Sequence, residues 1–311
     1  MSQTSDSGSV LEVVVVDPTS PKHKSSAQHR RRWWTEVGWR YIVGAVMLVF
    51  AGFPILYVIG TSLNPVGSVT AGSIIPKTLT LSNYTTLFSG QKGPFWRWYL
   101  NTLIVCAFTA VTQIVASTLA AYAFSRLRFK GRRGGMLFLL LIMMFPNILS
   151  MIAIYTIFTQ LGQVFPGIGL STVLGYCIAL TGGALGQVWL IKGTLDTVPK
   201  ELDEAAIIDG ATHFQVFSQI LLPTLVPIIA VTTLLGFVGV ISEFLIGTIF
   251  LTDNNSKTLA VGLYGMLTTD KSNNFGIFAA GAVLVAVPVI ALFQFLQKYI
   301  VGGSTSGAVK G

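Results

Sequence analysis

The chain has 311 residues, of which only 10% are charged and 52% hydrophobic, and its mean hydropathy is +0.70. So few charges cannot cover a water-soluble surface, so the main solvent is lipid. The net charge of +8 comes from Lys and Arg divided among short loops, with no basic stripe interleaved with exposed aromatics. That argues against a nucleic-acid partner and for positive loops that anchor a membrane protein.

Residues 1–29 are rich in Ser, Thr, Pro and Gln, and the apolar patch Val10–Val16 is interrupted by Glu12 with no basic region before it. This is not a cleavable signal, and residues 1–40 read as a flexible cytoplasmic tail. A bilayer core of about 30 Å needs about 20 apolar helical residues. Six segments meet this, near 41–62, 99–124, 135–158, 172–191, 224–250 and 274–297, within a domain spanning 41–300. The uncharged run from Gly134 to Ile191 must hold two of them, with Gln160–Gln163 and Pro166–Gly167 supplying the turn. The expectation is an all-α, polytopic membrane protein with six crossings.

Lys and Arg concentrate before 41, over Arg126–Arg133, and at Lys192, Lys200, Lys298 and Lys310, while the alternate loops hold only Lys77, Lys92, Arg97, Lys257 and Lys271. This bias places both termini in the cytoplasm. Trp33, Trp34 and Trp39 on the inner side, and Trp96 and Trp98 on the outer, suit interfacial belts. Pro54, Pro146 and Pro288 lie inside spans and should kink or loosen them, as shape elements or as hinges. Small residues in Ala116–Ala123 and Gly276–Ala286 allow close helix approach. Cys106 and Cys177 lie in apolar runs and read as small core residues rather than metal ligands.

Residues 192–223 form a polar, acidic loop between spans four and five. Thr197 can cap a helix whose first turn holds Pro199, Glu201, Asp203 and Glu204, the acidic groups complementing the helix dipole. Leu202, Ala205 and Ala206 are expected on one face, Gly210 in the left-handed terminating conformation, and Thr212 at the start of a second helix leading to Pro223. Glu243 is the only acidic residue within a span, about 13 Å below the outer end of a continuous helix at 1.5 Å per residue. It is either a cavity or gate residue or a structural group, in an ion pair or as a protonated, hydrogen-bonded carboxyl.

No phosphate-binding Gly-x4-Gly-Lys-Ser/Thr loop is present, since Gly90-Gln91-Lys92-Gly93 has the wrong order. His23, His29 and His213 lie outside the spans and no nucleophile–base constellation is visible, so an intramembrane enzyme is a poor fit.

Glu204-Ala205-Ala206, three residues, Gly210, nine residues, then Ile220, Leu222 and Pro223 resembles the coupling loop of membrane subunits of binding-protein-dependent ABC importers. The resemblance extends over Ala120–Lys130 (AAYAFSRLRFK), Met144-Phe145-Pro146, Tyr155–Leu161, Leu259-Ala260-Val261-Gly262, Thr70–Pro76 and the ending Gly302–Gly311, which are similar to the MalG-type permease subunits of maltose-type carbohydrate importers. It implies a type I ABC importer permease fold and a coupling loop of Glu201, Leu202, Asp203, Glu204, Ala205, Ala206, Asp209, Gly210, Ile220, Leu222 and Pro223. In that loop Ala205 and Ala206 would approach an ATPase groove and Glu204 would meet a basic residue. It further implies an ATPase-contacting tail (residues 301–311; Gly302, Gly303, Lys310) and a binding-protein contact loop at Asp253, Asn254, Asn255, Leu259 and Gly262. The implied partners are a second permease subunit, two ATPase subunits carrying ATP and Mg, and an extracytoplasmic sugar-binding protein, in a bacterial or archaeal cytoplasmic membrane. By the same resemblance the chain itself is expected to bind no cofactor. The alternatives are an importer of another solute such as glycerol phosphate, against which the lack of basic residues in the spans argues, and a secondary transporter, for which Glu243 alone is thin support.

Overall fold

The structure, a computed structural model, describes residues 34–65, 78–145 and 147–305. The expectations for the tail before Trp34, for Thr70–Pro76, for Pro146 and for Lys310 lie outside the described residues. The described secondary structure is helical throughout.

The first of two compact units ends at Pro54. Here a π-helical turn, Trp34–Gly38, leads into α1, Trp39–Ser62. Trp34, Trp39 and apolar side chains such as Leu48, Val49 and Phe50 are exposed, as suits a lipid-facing helix.

The second unit holds the remaining helices: α2 (Ser82–Phe88), α3 (Phe95–Arg126), α4 (Arg132–Met143), α5 (Asn147–Val164), α6 (Val173–Leu180) and α7 (Ala184–Thr197). After these come α8 (Glu201–Ile208), α9 (His213–Gln215), α10 (Leu222–Ile241), α11 (Leu245–Phe250), α12 (Leu259–Thr269) and α13 (Lys271–Thr305). Its centre is the mutual packing of α3, α7 and α10, with α13 against α10 and α12, and α6 against α3.

The sequence of α3 explains why it is central. Every fourth residue, from Asn101 through Val105, Thr109, Gln113, Ser117 and Ala121 to Ser125, is buried, and these are small or polar. Leu100, Ile104, Phe108, Val111, Val115 and Leu119 face outward. Lipid accepts the large apolar groups, while helix contacts select small side chains and internally satisfied polar ones. Gln113 Nε2 donates to the Leu180 carbonyl at 2.8 Å, and Gln187 Nε2 donates to Gln113 Oε1 at 2.9 Å. Gly183 and Gly236 make the room: a Cβ on either would lie 2.5 Å from Gln113 Nε2 or 2.7 Å from Gln187 Nε2.

Among the described residues, five stretches are helices long and apolar enough to cross a membrane: 36–62, 95–126, 173–197, 213–241 and 274–300. The remaining expected crossing, 135–158, is divided between α4 and α5. A proline next in the sequence disfavours helix at Phe145, in keeping with the end of α4 at Met143. Pro54 and Pro288 lie inside continuous helices. Of the expected turn, the Gln160–Gln163 part lies within α5, which continues to Val164, while the Pro166–Gly167 part is where the chain reverses, through a 3-10 turn at Pro166–Ile168. There Gly162 and Gly169 approach so closely that a Cβ on Gly169 would sit 2.6 Å from the other α-carbon.

The expected fifth span, 224–250, also differs. Its helix begins at His213 and stops at Ile241, and α11 is a separate short helix. Cys106 and Cys177 are buried and unbonded to each other, as expected of core residues. Trp98 departs from its expected place in the lipid interface, being 2% exposed and packed with Leu87, Phe95, Leu259 and Leu263, whereas Trp96 is exposed.

Candidate functional site

The acidic loop is a rigid mount for α8. Lys200, rather than Thr197, stands at the helix N-cap, and the Asp203 and Glu204 amides donate to its carbonyl. Thr197 instead ends α7 and donates to the Thr194 carbonyl at 2.7 Å. Pro199 and the three carboxylates of the first turn therefore start the helix without a side-chain cap.

At the other end Gly210 has φ +88, the left-handed terminator the sequence called for. Its amide donates to the Ile207 carbonyl at 3.0 Å and that of Ala211 to the Ala206 carbonyl at 2.9 Å. These two bonds form a Schellman stop. Two residues later Thr212 and Gln215 make a capping box: Gln215 N–H donates to Thr212 Oγ1, and Thr212 N–H donates to Gln215 Oε1 at 2.8 Å. The chain then runs through a wide π turn, Val216–Leu221, into α10. Pro223 follows that turn, and its nitrogen cannot donate to the preceding carbonyl, which favours the wider turn.

α8 is two-faced, but along a different axis from the one expected. Asp203 and Ala206 point inward. Ala206 packs among Ala121, Ile191, Leu195, Val216, Leu221 and Leu225, tying α8 to α3, α7 and α10. Leu202 and Ala205 are exposed, so the expected face of Leu202, Ala205 and Ala206 is split: Ala206 is a core contact and cannot line a partner surface. The reason lies at the inner face, where Asp203 is held by Arg126 with Nε to Oδ2 at 2.6 Å, which fixes the helix rotation. The outer face carries Glu201, Glu204, Ala205, Asp209 and Ile208, with Ile208 85% exposed. Ile220 and Leu222 are half-buried and Pro223 exposed, at the base of α10.

Sequence reasoning missed Ile208, and Phe214 at 73% exposure on α9. Large apolar groups exposed on a polar loop are candidates for a contact surface where they form a continuous patch. The signal available was the stripe Asp203–Ala206–Gly210 at spacings of three and four, which puts Ile208 opposite.

The far end of α3 holds a second polar assembly. Trp98 Nε1 donates to the Asn254 carbonyl at 2.6 Å, and Asn101 Nδ2 donates to those of Asn255 at 2.8 Å and Lys257 at 3.0 Å. The Leu259 amide donates to Thr102 Oγ1 at 2.8 Å. Ser171 Oγ receives the Thr252 and Asp253 amides. Asp253, Asn254 and Asn255 are exposed on a loop held firmly from beneath. Leu259 and Gly262 are buried within the chain instead: Leu259 is 0% exposed, and a Cβ on Gly262 would lie 2.2 Å from the Trp98 ring. They hold the loop and offer no surface to a partner.

Glu243 lies in the break between α10 and α11. Its carboxylate accepts from the Ile246 amide at 2.7 Å and the Gly247 amide at 3.1 Å, and from the Tyr176 hydroxyl. Because the helix is interrupted there, its expected depth along a continuous helix does not apply. Its observed bonds cap α11. Gly302 and Gly303 lie in the last turns of α13.

A family model described as the inner membrane component of binding-protein-dependent transport systems matches residues 113–303. A maltose/maltodextrin transport system permease protein of Yersinia pestis is 40% identical over 272 residues, covering 83% of this chain and 88% of the relative. A galactooligosaccharides transport system permease protein of Bacillus subtilis is 36% identical, covering 87% and 94%. The same fold occurs in a crystal structure of a bacterial ABC transporter involved in import of the acidic polysaccharide alginate, with a TM-score of 0.67 and 23% identity, covering 90% of this chain and 99% of that one.

Proposed function

The chain belongs to the family of inner membrane components of binding-protein-dependent transport systems, and on that premise we propose that it is a permease subunit of an ATP-driven sugar importer. The solute class we assign is maltose, maltodextrin or a related di- or oligosaccharide. It is a transport subunit rather than an enzyme, and ATP with Mg is bound and hydrolysed on separate subunits.

The observation that carries this reading is the outer face of α8. Glu201, Glu204, Ala205 and Ile208 project from a helix that is stopped at Gly210, boxed at Thr212 and anchored through Asp203 and Ala206. An acidic, apolar-centred knob so held can transmit force, and its Glu-Ala-Ala-x3-Gly pattern is the one for docking on an ATPase. In this reading the α8 end and both termini are cytoplasmic, and Gly302, Gly303 and Lys310 lead toward the ATPase pair. A second permease subunit completes the pathway, and Asp253, Asn254 and Asn255 meet the binding protein on the opposite side. Glu243, bonded as it is, serves the α10–α11 break beside the pathway.

The test is affinity purification of the tagged chain from its native membrane in detergent, with identification of what is retained, followed by uptake of labelled maltose and of a galacto-oligosaccharide in proteoliposomes. A second permease, an ATPase and ATP-dependent maltose uptake are expected. Uptake of the galacto-oligosaccharide alone would replace the solute. A chain that purifies alone and transports on an ion gradient would overturn the importer.

A further inference from the structure

The end of α3 and the start of α8 are joined by a side-chain pair that neither the docking pattern nor the cavity requires. Arg126 is the last residue of α3 and Asp203 lies in the first turn of α8. Their side chains are 6% and 14% exposed. Arg126 Nη2 also donates to the Val198 carbonyl at 2.8 Å, just before α8 begins. The ion pair beside it, Lys192 with Asp196, differs in kind: the carboxylate is 42% exposed and both groups are on one helix. A pair of that sort contributes little, whereas a buried pair between two helices holds strongly against separation because either partner alone would be an uncompensated charge.

We propose that Arg126 and Asp203 are positioning residues that make α8 and α3 move as one body, so that displacement of the docking helix becomes displacement of the second membrane span. The proposal rests on the reading of α8 as the ATPase-docking element.

Three further observations support it. First, α8 has little else to hold it: Ala206 is its one buried residue, so apolar packing contributes a single methyl group. Second, the attachment point on α3 is itself immobilised. Arg132 donates through Nε to the Phe124 carbonyl at 2.7 Å and through Nη2 to that of Ser125 at 3.0 Å, and the Ser125 hydroxyl donates to Asp196 of α7. Third, α3 runs 32 residues without Gly or Pro, and its other end grips the 254–259 loop through Trp98, Asn101 and Thr102. Force applied at Asp203 therefore enters the stiffest element of the unit.

The contact also has spare pairing capacity. The 2.6 Å approach of Nε to Oδ2 is a charge contact whose N–H is not aimed along it, and Arg126 Nη1 and Asp203 Oδ1 are buried without a protein hydrogen bond. A guanidinium fork and a carboxylate with one free position each can slide by a bond's length and stay paired. That keeps the pair intact through small side-chain rearrangements, so that α8 and α3 still move as one body.

The experiment uses the complete complex in proteoliposomes with its binding protein and labelled maltose, and reads moles of maltose transported per mole of ATP hydrolysed, alongside the amount of ATPase retained. Asp203→Asn and Arg126→Gln are expected to lower that ratio by about 5-fold or more, and Asp203→Glu, which keeps the charge, to restore most of it. Loss of transport and hydrolysis in equal proportion, or an unchanged ratio in both single variants, would overturn the proposal. If the single variants assemble poorly, the paired apolar replacement Arg126→Met with Asp203→Leu removes both charges together and should fold. A lowered ratio there supports the joint and a wild-type ratio overturns it. A wild-type complex that retains no ATPase would refute the docking reading itself, a result distinct from a coupled wild type with coupled variants.

Discussion

Replacing Gly210 isolates the backbone term in the α8 stop. Its φ is +88, and a Cβ placed there would meet no heavy atom within 4 Å. Gly210→Ala therefore adds no clash, and its cost is that of holding an L residue in the left-handed region, about 1–2 kcal/mol. Part of this is offset by the reduced freedom of the unfolded segment, about 0.4–1 kcal/mol. The net, about 0.8 kcal/mol at the midpoints of the two ranges, raises local opening roughly 4-fold. Gly210→Asn, which tolerates the left-handed region, should change opening by less than about 2-fold. Gly210→Pro cannot adopt the angle and loses the N–H donated to Ile207, so it should cost about 3 kcal/mol or more. Hydrogen exchange by mass spectrometry over 204–215, with α7 as internal control, measures this at the Ala211 amide. Alanine exchanging like glycine, or asparagine faster than alanine, would refute the conformational account.

Ile208→Asp alters the exposed knob and touches nothing buried, so thermal stability should move by no more than about 0.5 kcal/mol, while ATPase retained in detergent falls. Retention at the wild-type level would remove Ile208 from the docking surface. Trp98→Ala deletes a buried indole and the donor to the Asn254 carbonyl, at about 3–5 kcal/mol. A lower melting temperature and new proteolytic cleavage near 253–257 are expected, and intact resistance would mean that the loop stands without Trp98. Tyr176→Phe removes the hydroxyl that reaches Glu243 but leaves both amide bonds to the carboxylate. A loss of about 1–2 kcal/mol in thermal unfolding is expected, and collapse of the fold would show that the hydroxyl does more than bond the carboxylate.

The parts legible in the sequence were those whose physics is local. Four of the six lipid-length apolar runs, the left-handed requirement at Gly210 and the Thr212 start signal depend on neighbours a few residues away, and these are where they were expected. The interrupted spans were harder to read. At 242–244 the one mark is the acidic Glu243, which reads equally as a cavity residue because the apolar pattern resumes through Phe250, and the break is stabilised in part by a tertiary bond from Tyr176, 67 residues away. The face of α8 failed for the same reason. Period alone allows Leu202, Ala205 and Ala206 to share a side, and the rotation is set by Arg126, 77 residues earlier. Trp98 looked interfacial because tryptophan near a span end usually is, and only Gly93 and Gly262, which leave room for its ring, disclose that it is buried.

Helix length explains how one chain can carry two buried polar assemblies beside its membrane spans. Trp98 and Arg126 are separated along α3 by about 42 Å at 1.5 Å per residue. Even tilted by about 40°, the upper end of the usual range, the helix would span about 32 Å along the membrane normal, still more than the hydrocarbon thickness of about 30 Å. The Arg126–Asp203 pair and the bonds from Trp98 and Asn101 to the loop carbonyls therefore lie at the two interfaces, where burying charge and loop backbone costs far less than at the bilayer centre. Between them, α3 presents mainly small residues inward, with the longer Gln113 hydrogen-bonded. The breaks are assigned to other elements: α4 and α5, the turn at Thr181–Gly183, and the gap between α10 and α11. Stiffness in α3 and interruption in its neighbours is the division expected when one helix must keep its two ends in fixed relation while the helices packed around it change position.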